Sequence, residues 1–313
     1  MQVMNSNVVK LTRTSTTLLK RATRLGLFAL GMGLTSQAFA TSDIWLFDIN
    51  TQGQLVTDSA KNITARPGYD NQPHFSRDGK GLFYTEMSTV FGLQQTDVIY
   101  YSFDDQSQTN ITKTIETSEY SPTETSDPNL LSIIKVERDG TQRLWYVNKS
   151  TGQQSLLNRH IKPVGYHAWG EKGEIAMFIL GEPMTLQLVD DKKDKQATTL
   201  DDNIGPSIRY SDELDLFTYS KEQDGRQMLW SFSVKDGTKQ PQIALPNGSQ
   251  YYTLFDQTQV ITADQNSLVT WPLNSKASWR PFADLSPFCV NGITRIAVNK
   301  PKTKIAVVCN EPQ

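Results

Sequence analysis

Few residues of this 313-residue chain are suited to acid–base or metal chemistry. It has three histidines, His74, His160 and His167, and two cysteines, Cys289 and Cys309. Imidazoles titrate near neutrality and are the commonest general bases and metal ligands, so His74 and His167, which both enter a strand-forming stretch from a loop, are the first candidates. Aligning Phe75 with Trp169 sets His74 against Ala168. His167 is then one residue out of register and points to the other face of its strand, so a shared site is not expected. The acidic pairs Asp104-Asp105, Asp190-Asp191 and Asp201-Asp202 read as turns, because neighbours on an extended chain point apart and Asp in a turn bonds its own backbone. There is no G-x-S-x-G elbow, H-E-x-x-H pair, phosphate loop or cysteine cluster with metal spacing. No catalytic residue, metal or cofactor is assigned.

Recognition residues are better represented. Tyr69-Asp70-Asn71, His74, Tyr120, Tyr166-His167, Arg209 and Tyr251-Tyr252 fall at comparable places along the chain, in loops or at strand entrances. Tyrosine combines contact area with a polar tip, which suits a binding surface. The competing reading is that these aromatics wedge between packed sheets. The segment from Met87 to Asp97 is the longest connection between strands and carries Phe91 at its tip, a contact candidate.

The elements that would position these residues follow from a repeat. A first strand anchor reads Ile44-Trp45, Ile99-Tyr100, Leu144-Trp145, Leu186-Gln187, Leu229-Trp230 and Leu268-Val269, each running into a polar turn. Between anchors lies a second strand-turn-strand unit, clearest at Phe75-Ser76-Arg77-Asp78-Gly79-Lys80-Gly81-Leu82-Phe83-Tyr84. A period of about 40–55 residues suits four short strands per repeat arranged radially. The first half-repeat, at Ile44, lacks a partner before it, and the last, Ile293 to Cys309, lacks one after it. Unpaired, each would leave an open sheet edge. Joining them predicts an all-β, six-bladed propeller over residues 41–313, whose last blade is closed by the N- and C-terminal hairpins.

The stretch Asn62-Ile63-Thr64 through Gln72-Pro73-His74-Phe75-Ser76-Arg77-Asp78-Gly79 resembles the WD-like repeat of the TolB-type six-bladed propellers. Asn110-Ile111-Thr112, Ser121-Pro122 and Asp127-Pro128 form a weaker second copy. In this motif Phe75 packs between blades, Asp78 caps the turn and Gly79 supplies positive φ. The resemblance implies a role in the cell envelope. Residues 41–313 leave no room for the α/β domain that the family's namesake carries ahead of its propeller.

Residues 1–40 read as a cleaved secretory signal peptide, with Lys10, Arg13, Lys20, Arg21 and Arg24 before the apolar Leu25 to Leu34 and a small-x-small site at Ala38-Phe39-Ala40. The apolar run is too short to span a bilayer. Five of the 31 basic residues and none of the 33 acidic ones lie in that leader, leaving a net charge of about −7 on the rest. Such a surface does not suit nucleic acid or anionic lipid. Export would permit a Cys289–Cys309 disulfide, and two buried free thiols fit the spacing equally well. The expected product is a periplasmic monomer without a cofactor that binds a cell-envelope protein or peptide through its blade-connecting loops, which are expected to converge on the channel mouth. The alternative is a small-molecule enzyme of the lactonase, lyase or cyclase type, using His74, Asp70, Arg209 and Arg295 at the channel mouth.

Overall fold

The computed structural model describes residues 41–190 and 196–311. The leader read at residues 1–40 and Asp191 of the second acidic pair lie outside them. Among the described residues every regular element is a strand. Strands β1 (Ser42–Ile49) and β2 (Leu55–Asn62) come first and belong to the sheet that closes the ring. Blade 1 is β3 (Asp70–Phe75), β4 (Gly81–Val90), β5 (Leu93–Ser102) and β6 (Gln108–Asn110). Blade 2 is β7 (Ser118–Glu124), β8 (Leu130–Val136), β9 (Gln142–Asn148) and β10 (Gln154–Leu156). Blade 3 is β11 (Val164–Trp169), β12 (Glu174–Ile179), β13 (Thr185–Asp190) and β14 (Thr198–Asp202). Blade 4 is β15 (Ile204–Ser211), β16 (Leu216–Gln223), β17 (Arg226–Ser233) and β18 (Lys239–Ala244). Blade 5 is β19 (Tyr252–Leu254), β20 (Gln259–Asp264), β21 (Ser267–Pro272) and β22 (Arg280–Asp284). Blade 6 adds β23 (Ile293–Val298) and β24 (Lys304–Asn310), in the order β2-β1-β24-β23.

Closure therefore runs as the repeat order predicts. Strands β1 and β24 are antiparallel, with Ile44 opposite Val308 and Phe47 opposite Ile305.

The second strand of each blade explains why the sequence folds this way. Side chains alternate between the two faces of a strand, and here both faces are covered by neighbouring blades, so these strands read as nearly unbroken apolar runs. In β4, Leu82 and Tyr84 pack with Ile44, Ala306 and Val308 of blade 6, whereas Phe83 packs with Leu131 and Ile133 of blade 2. In β12, Ala176 and Phe178 face Ile208 and Phe217 of blade 4, while Ile175, Met177 and Ile179 face Ile134 of blade 2. Similar clusters join blades 4 and 5 and blades 5 and 6. The last of these contains Cys289 and Cys309, both fully buried and joined by a disulfide with Cα atoms 4.9 Å apart.

The family-like turn is built from its own side chains. Ser76 Oγ donates to Asp78 Oδ1 at 2.7 Å, the same carboxylate oxygen accepts from the Lys80 N–H at 3.0 Å, and Gly79 takes φ 72°. Phe75 is buried between blades 1 and 6. A second device went unread in the sequence. Asp43 accepts from Asn62 Nδ2 and Thr64 Oγ1, and Asp97 accepts in the same way from Asn110 and Thr112. The Asn-Ile-Thr strand ends are thus clamped to a buried aspartate on the neighbouring strand. One acidic reading needs correction. Asp105 does cap its own turn, but Asp201 lies in β14 and is paired with Lys221 and the Tyr219 hydroxyl.

Candidate functional site

The first strands of the six blades surround one central cavity of about 640 Å³. Strand pairing fixes which residues are equivalent around it. Phe75 opposes Leu82, Glu124 opposes Leu131, Trp169 opposes Ile175, and Ser211 opposes Leu216 one step further along. On that register one tier is Gln72, Ser121, Tyr166, Ser207, Tyr251 and Arg295. The next tier is His74, Thr123, Ala168, Arg209, Thr253 and Ala297, and both tiers line the cavity.

The first tier stops the channel. Blades 3 and 6 are opposite in a six-membered ring, yet Arg295 Nη2 donates to Tyr166 Oη at 2.6 Å. The Arg295 guanidinium lies 3.8 Å from the Tyr251 ring centroid and 4.9 Å from that of Tyr166. Burial alone would raise the Tyr166 hydroxyl, but the adjacent Arg295 outweighs it and holds the group below its ordinary value. Burial pushes Tyr251 up to about 12 despite the same arginine. Tyr69 joins this cluster and is raised, again mainly by burial. At the other end the cavity reaches the turns between first and second strands, with Arg77, Asp212 and Lys300 largely exposed there.

The histidines sit beside the cavity on opposite sides of blade 2, as their register offset predicts. His74 Nε2 accepts the Glu124 backbone N–H at 3.1 Å. Burial lowers its pKa to about 4, so the ring is neutral, with its proton on Nδ1. His167 Nε2 lies 2.6 Å from Ser132 Oγ. That hydroxyl donates to the Thr123 carbonyl and accepts from Trp169 Nε1, so His167 donates through Nε2 and leaves Nδ1 buried without a partner. Burial, reinforced by the nearby His74, lowers its pKa to about 3. Arg209 donates to Thr253 Oγ1 at 3.2 Å and to the Ile208 carbonyl at 2.7 Å. Among the described residues no group of three His, Cys, Asp or Glu could hold a metal ion.

The remaining candidates separate into wedge, core and surface. Tyr69, Tyr166 and Tyr251 do converge, but on one another and on Arg295 rather than toward solvent. Tyr252 is fully buried between blades 4 and 5, which corrects its reading as a contact residue. Asp70 and Asn71 are also buried. Asp70 pairs with Arg66 at 2.7 Å, and burial outweighs that partner to raise its carboxyl to about 7. Tyr120 packs partly buried against the blade 2 and blade 3 core. Phe91 alone of the set stands in solvent, 91% exposed.

Phe91 has company that the sequence reading missed. Among the described residues the exposed large apolar side chains are Phe91, Leu93, Ile115, Met184 and Val290. Phe91, Leu93 and Met184 flank connections from second to third strands, and Ile115 and Val290 lie in connections between blades. Both kinds of connection emerge on the same face of the ring, opposite the mouth of the cavity, which corrects the expectation that the blade-connecting loops converge on that mouth: the Tyr166–Arg295 bridge closes their end of the channel. A bond from Gln95 Nε2 to the Thr114 carbonyl ties the base of the long β4–β5 hairpin to the loop holding Ile115. Adjacency of Phe91 and Leu93 around Gly92 was visible in the sequence; the tie between their hairpin and the Ile115 loop needed the fold.

No family model matches the sequence, and no curated protein matches it. Solved structures do. A protein described as TolB from Agrobacterium tumefaciens superposes with TM-score 0.67 at 13% identity over 88% of this chain and 100% of that one. A gluconolactonase from Xanthomonas campestris gives 0.60 at 9% identity, covering 88% and 97% of the two chains. An oligogalacturonate lyase in complex with manganese gives 0.55 at 11% identity, covering 81% and 80%. With the blade order, the closing pair and the Ser-x-Asp-Gly turn, these likenesses establish a TolB-like six-bladed β-propeller fold for this chain.

Proposed function

We propose that the protein is a non-enzymatic interaction module of the periplasm, and that it docks a cell-envelope protein through its blade-connecting face. One observation carries the reading: the exposed large apolar side chains, Phe91, Leu93, Ile115, Met184 and Val290, are all on that face. Scattered surface apolar residues need no explanation, but a set confined to one face is the mark of a contact surface. Phe91 is the natural anchor, since it tops a hairpin of two ten-residue strands and aromatic anchors dominate interface energetics. The opposite face offers short polar turns such as Asp78-Gly79 and Asp236-Gly237. Likeness to TolB and the leader-like residues 1–40 support the envelope location.

A photoreactive amino acid in place of Phe91 should form a cross-link to one discrete protein in intact cells, and the same group at Asp236 should not. Phe91→Asp should weaken capture of that partner by about tenfold or more, the loss of an anchor of roughly 2 kcal/mol. Equal cross-linking from both positions would overturn the assignment of the face. A lactonase, lyase or cyclase activity in the channel is the second reading, favoured by its buried imidazoles and arginines. It is weakened because both Nε2 atoms are already engaged by protein groups. Turnover of a lactone or uronide that is lost in His74→Ala would favour it instead.

A further inference from the structure

The central cavity carries cationic charge that the protein does not neutralise. Arg295 of blade 6 reaches over Tyr251 of blade 5 to Tyr166 of blade 3, and Arg209 of blade 4 stands in the next tier, so both guanidinium groups line the blocked end of the channel. Among the described residues the hydrogen bonds of the two guanidinium groups go to hydroxyl and carbonyl oxygens, not to carboxylates. Arg295 is compensated by Tyr166 and two aromatic faces. Arg209 donates only to neutral oxygens, Thr253 Oγ1 and the Ile208 carbonyl, is half-buried, and lies close enough to Arg295 for the two charges to oppose each other. A partly buried cation without a counter-ion is costly. Two of them lining one cavity form a site that an anion would complete.

The surroundings fit a small ligand. Ala168, Ala297, Thr123 and Thr253 occupy the same tier as Arg209 and leave room beside it. A volume of about 640 Å³ is in the range of small-molecule sites. The Tyr166–Arg295 bridge makes the channel a dead end, so entry is from the turn face. Acidic groups stand at that mouth too, and two are already paired: Glu124 with Lys149 at 2.9 Å and Asp212 with Lys300 at 3.7 Å. Glu171 and Asp256 also line it. Selectivity for an anion therefore belongs to the deep arginines rather than to the rim.

We propose that the central channel binds a small multivalent organic anion, entering from the turn face, with an oxyanion group held between Arg209 and Arg295. Guanidinium forks match carboxylate and phosphate equally, and the entrance to the site is on the face opposite Phe91.

The test is calorimetric titration of the purified protein with citrate and, separately, with inorganic phosphate at low ionic strength. Saturable one-to-one binding of either is expected, and the stronger of the two identifies the oxyanion chemistry. Arg209→Gln should weaken it by about tenfold or more, the worth of a charge-assisted bond. Arg209→Lys, which keeps the charge and the fold but loses the fork, should weaken it several-fold and serves where the glutamine variant does not fold. Phe91→Asp should bind the probe as the parent does, which separates this site from the docking face. Absence of binding for both probes, or unchanged affinity in the Arg209 variants, would overturn the proposal.

Discussion

Phe47 sits in the middle of the strand that shuts the ring. It is fully buried, stands opposite Ile305 across the closing pair, and packs edge-on to Phe288 with ring centroids 5.3 Å apart and beside Trp45 at 6.5 Å. Truncation to Ala removes the transfer free energy of the ring and leaves a cavity between blades 5 and 6. Phe→Ala changes in cores cost about 3–5 kcal/mol, and the complete burial and two aromatic neighbours place this one near 4, roughly. For a domain somewhat above 200 residues each kcal/mol lowers the melting temperature by about 2–4 °C, so a drop of roughly 8–16 °C is expected. Because β1 is the strand through which the N-terminal hairpin pairs with β24 to complete the last blade, the loss should be felt by all six blades in a single transition. Differential scanning calorimetry of Phe47→Ala, with Val290→Ser as an exposed control within about 0.5 kcal/mol of the parent, reads both quantities. A shift below about 2 °C, or a melt that splits into a parent-like and a weakened component, would show that β1 decorates the ring and does not latch it.

Four further outcomes are expected. The disulfide spans a sequence separation of 20 residues, for which chain entropy gives about 3 kcal/mol; reduction should lower the melting temperature, and two titratable thiols in the unfolded, unreduced protein would contradict the bond. His167 has its folded pKa depressed from 6.5 to about 3, so its neutral burial contributes stability that is full above pH 6.5 and is lost as pH falls toward 3, on the order of 4 kcal/mol. Asp70 runs the other way: its pKa is raised from 3.8 to about 7, so its contribution is full below pH 4 and lost as pH rises through 7. Asp70→Asn should therefore gain stability relative to the parent between pH 4 and 7, and His167→Gln should flatten the acid limb, both read from urea unfolding at a series of pH values. Asp97→Ala should cost about 2–4 kcal/mol, because it strands the Asn110, Thr112 and Thr114 donors at a buried site; a loss below 0.5 kcal/mol would show the clamp to be incidental.

The frame was legible because a propeller states its requirements locally. Each blade needs a strand covered on both faces, and that need is written as Leu82-Phe83-Tyr84 or Ile175 to Ile179. It also needs tight turns, written as Asp78-Gly79. The order of half-repeats at the two ends then fixed the closing pair. What the sequence concealed depends on contacts across the ring. Tyr166 and Arg295 are 129 positions apart, and nothing in either segment announces that one hydrogen-bonds the other across the channel. Tyr69, Tyr166 and Tyr251 stand at convergent strand entrances, but whether such tyrosines face solvent or each other depends on the arginine brought in from the opposite blade. Asp43 and Asp97 were hidden differently: each is a buried polar group whose partners are Asn-x-Thr triplets one strand away, a pairing visible only once the register is known.

Residues that depart from the repeat are also those available for specificity. In the tier of His74, Thr123, Ala168, Arg209, Thr253 and Ala297, four of the six positions hold small side chains, which is what keeps the channel open below the tyrosine wedge. An arginine at every position would be mutually repulsive and self-filling, and an alanine at every position would give an apolar bore without preference for any ligand. Two arginines from blades 4 and 6, in adjoining tiers and with the Tyr251 ring of blade 5 against Arg295, concentrate positive charge at the blocked end of the channel and leave its turn-face half open. The same logic holds on the blade-connecting face, where, among the described residues, blade 1 alone extends its second and third strands to ten residues each and so carries Phe91 and Leu93 on the longest hairpin. A ring of near-equivalent blades thus becomes directional twice, by charge in the channel and by apolar reach on the blade-connecting face. Because the two asymmetries sit on different blades, one inside the channel and one on the outer surface, substitutions at one should leave the other unaltered.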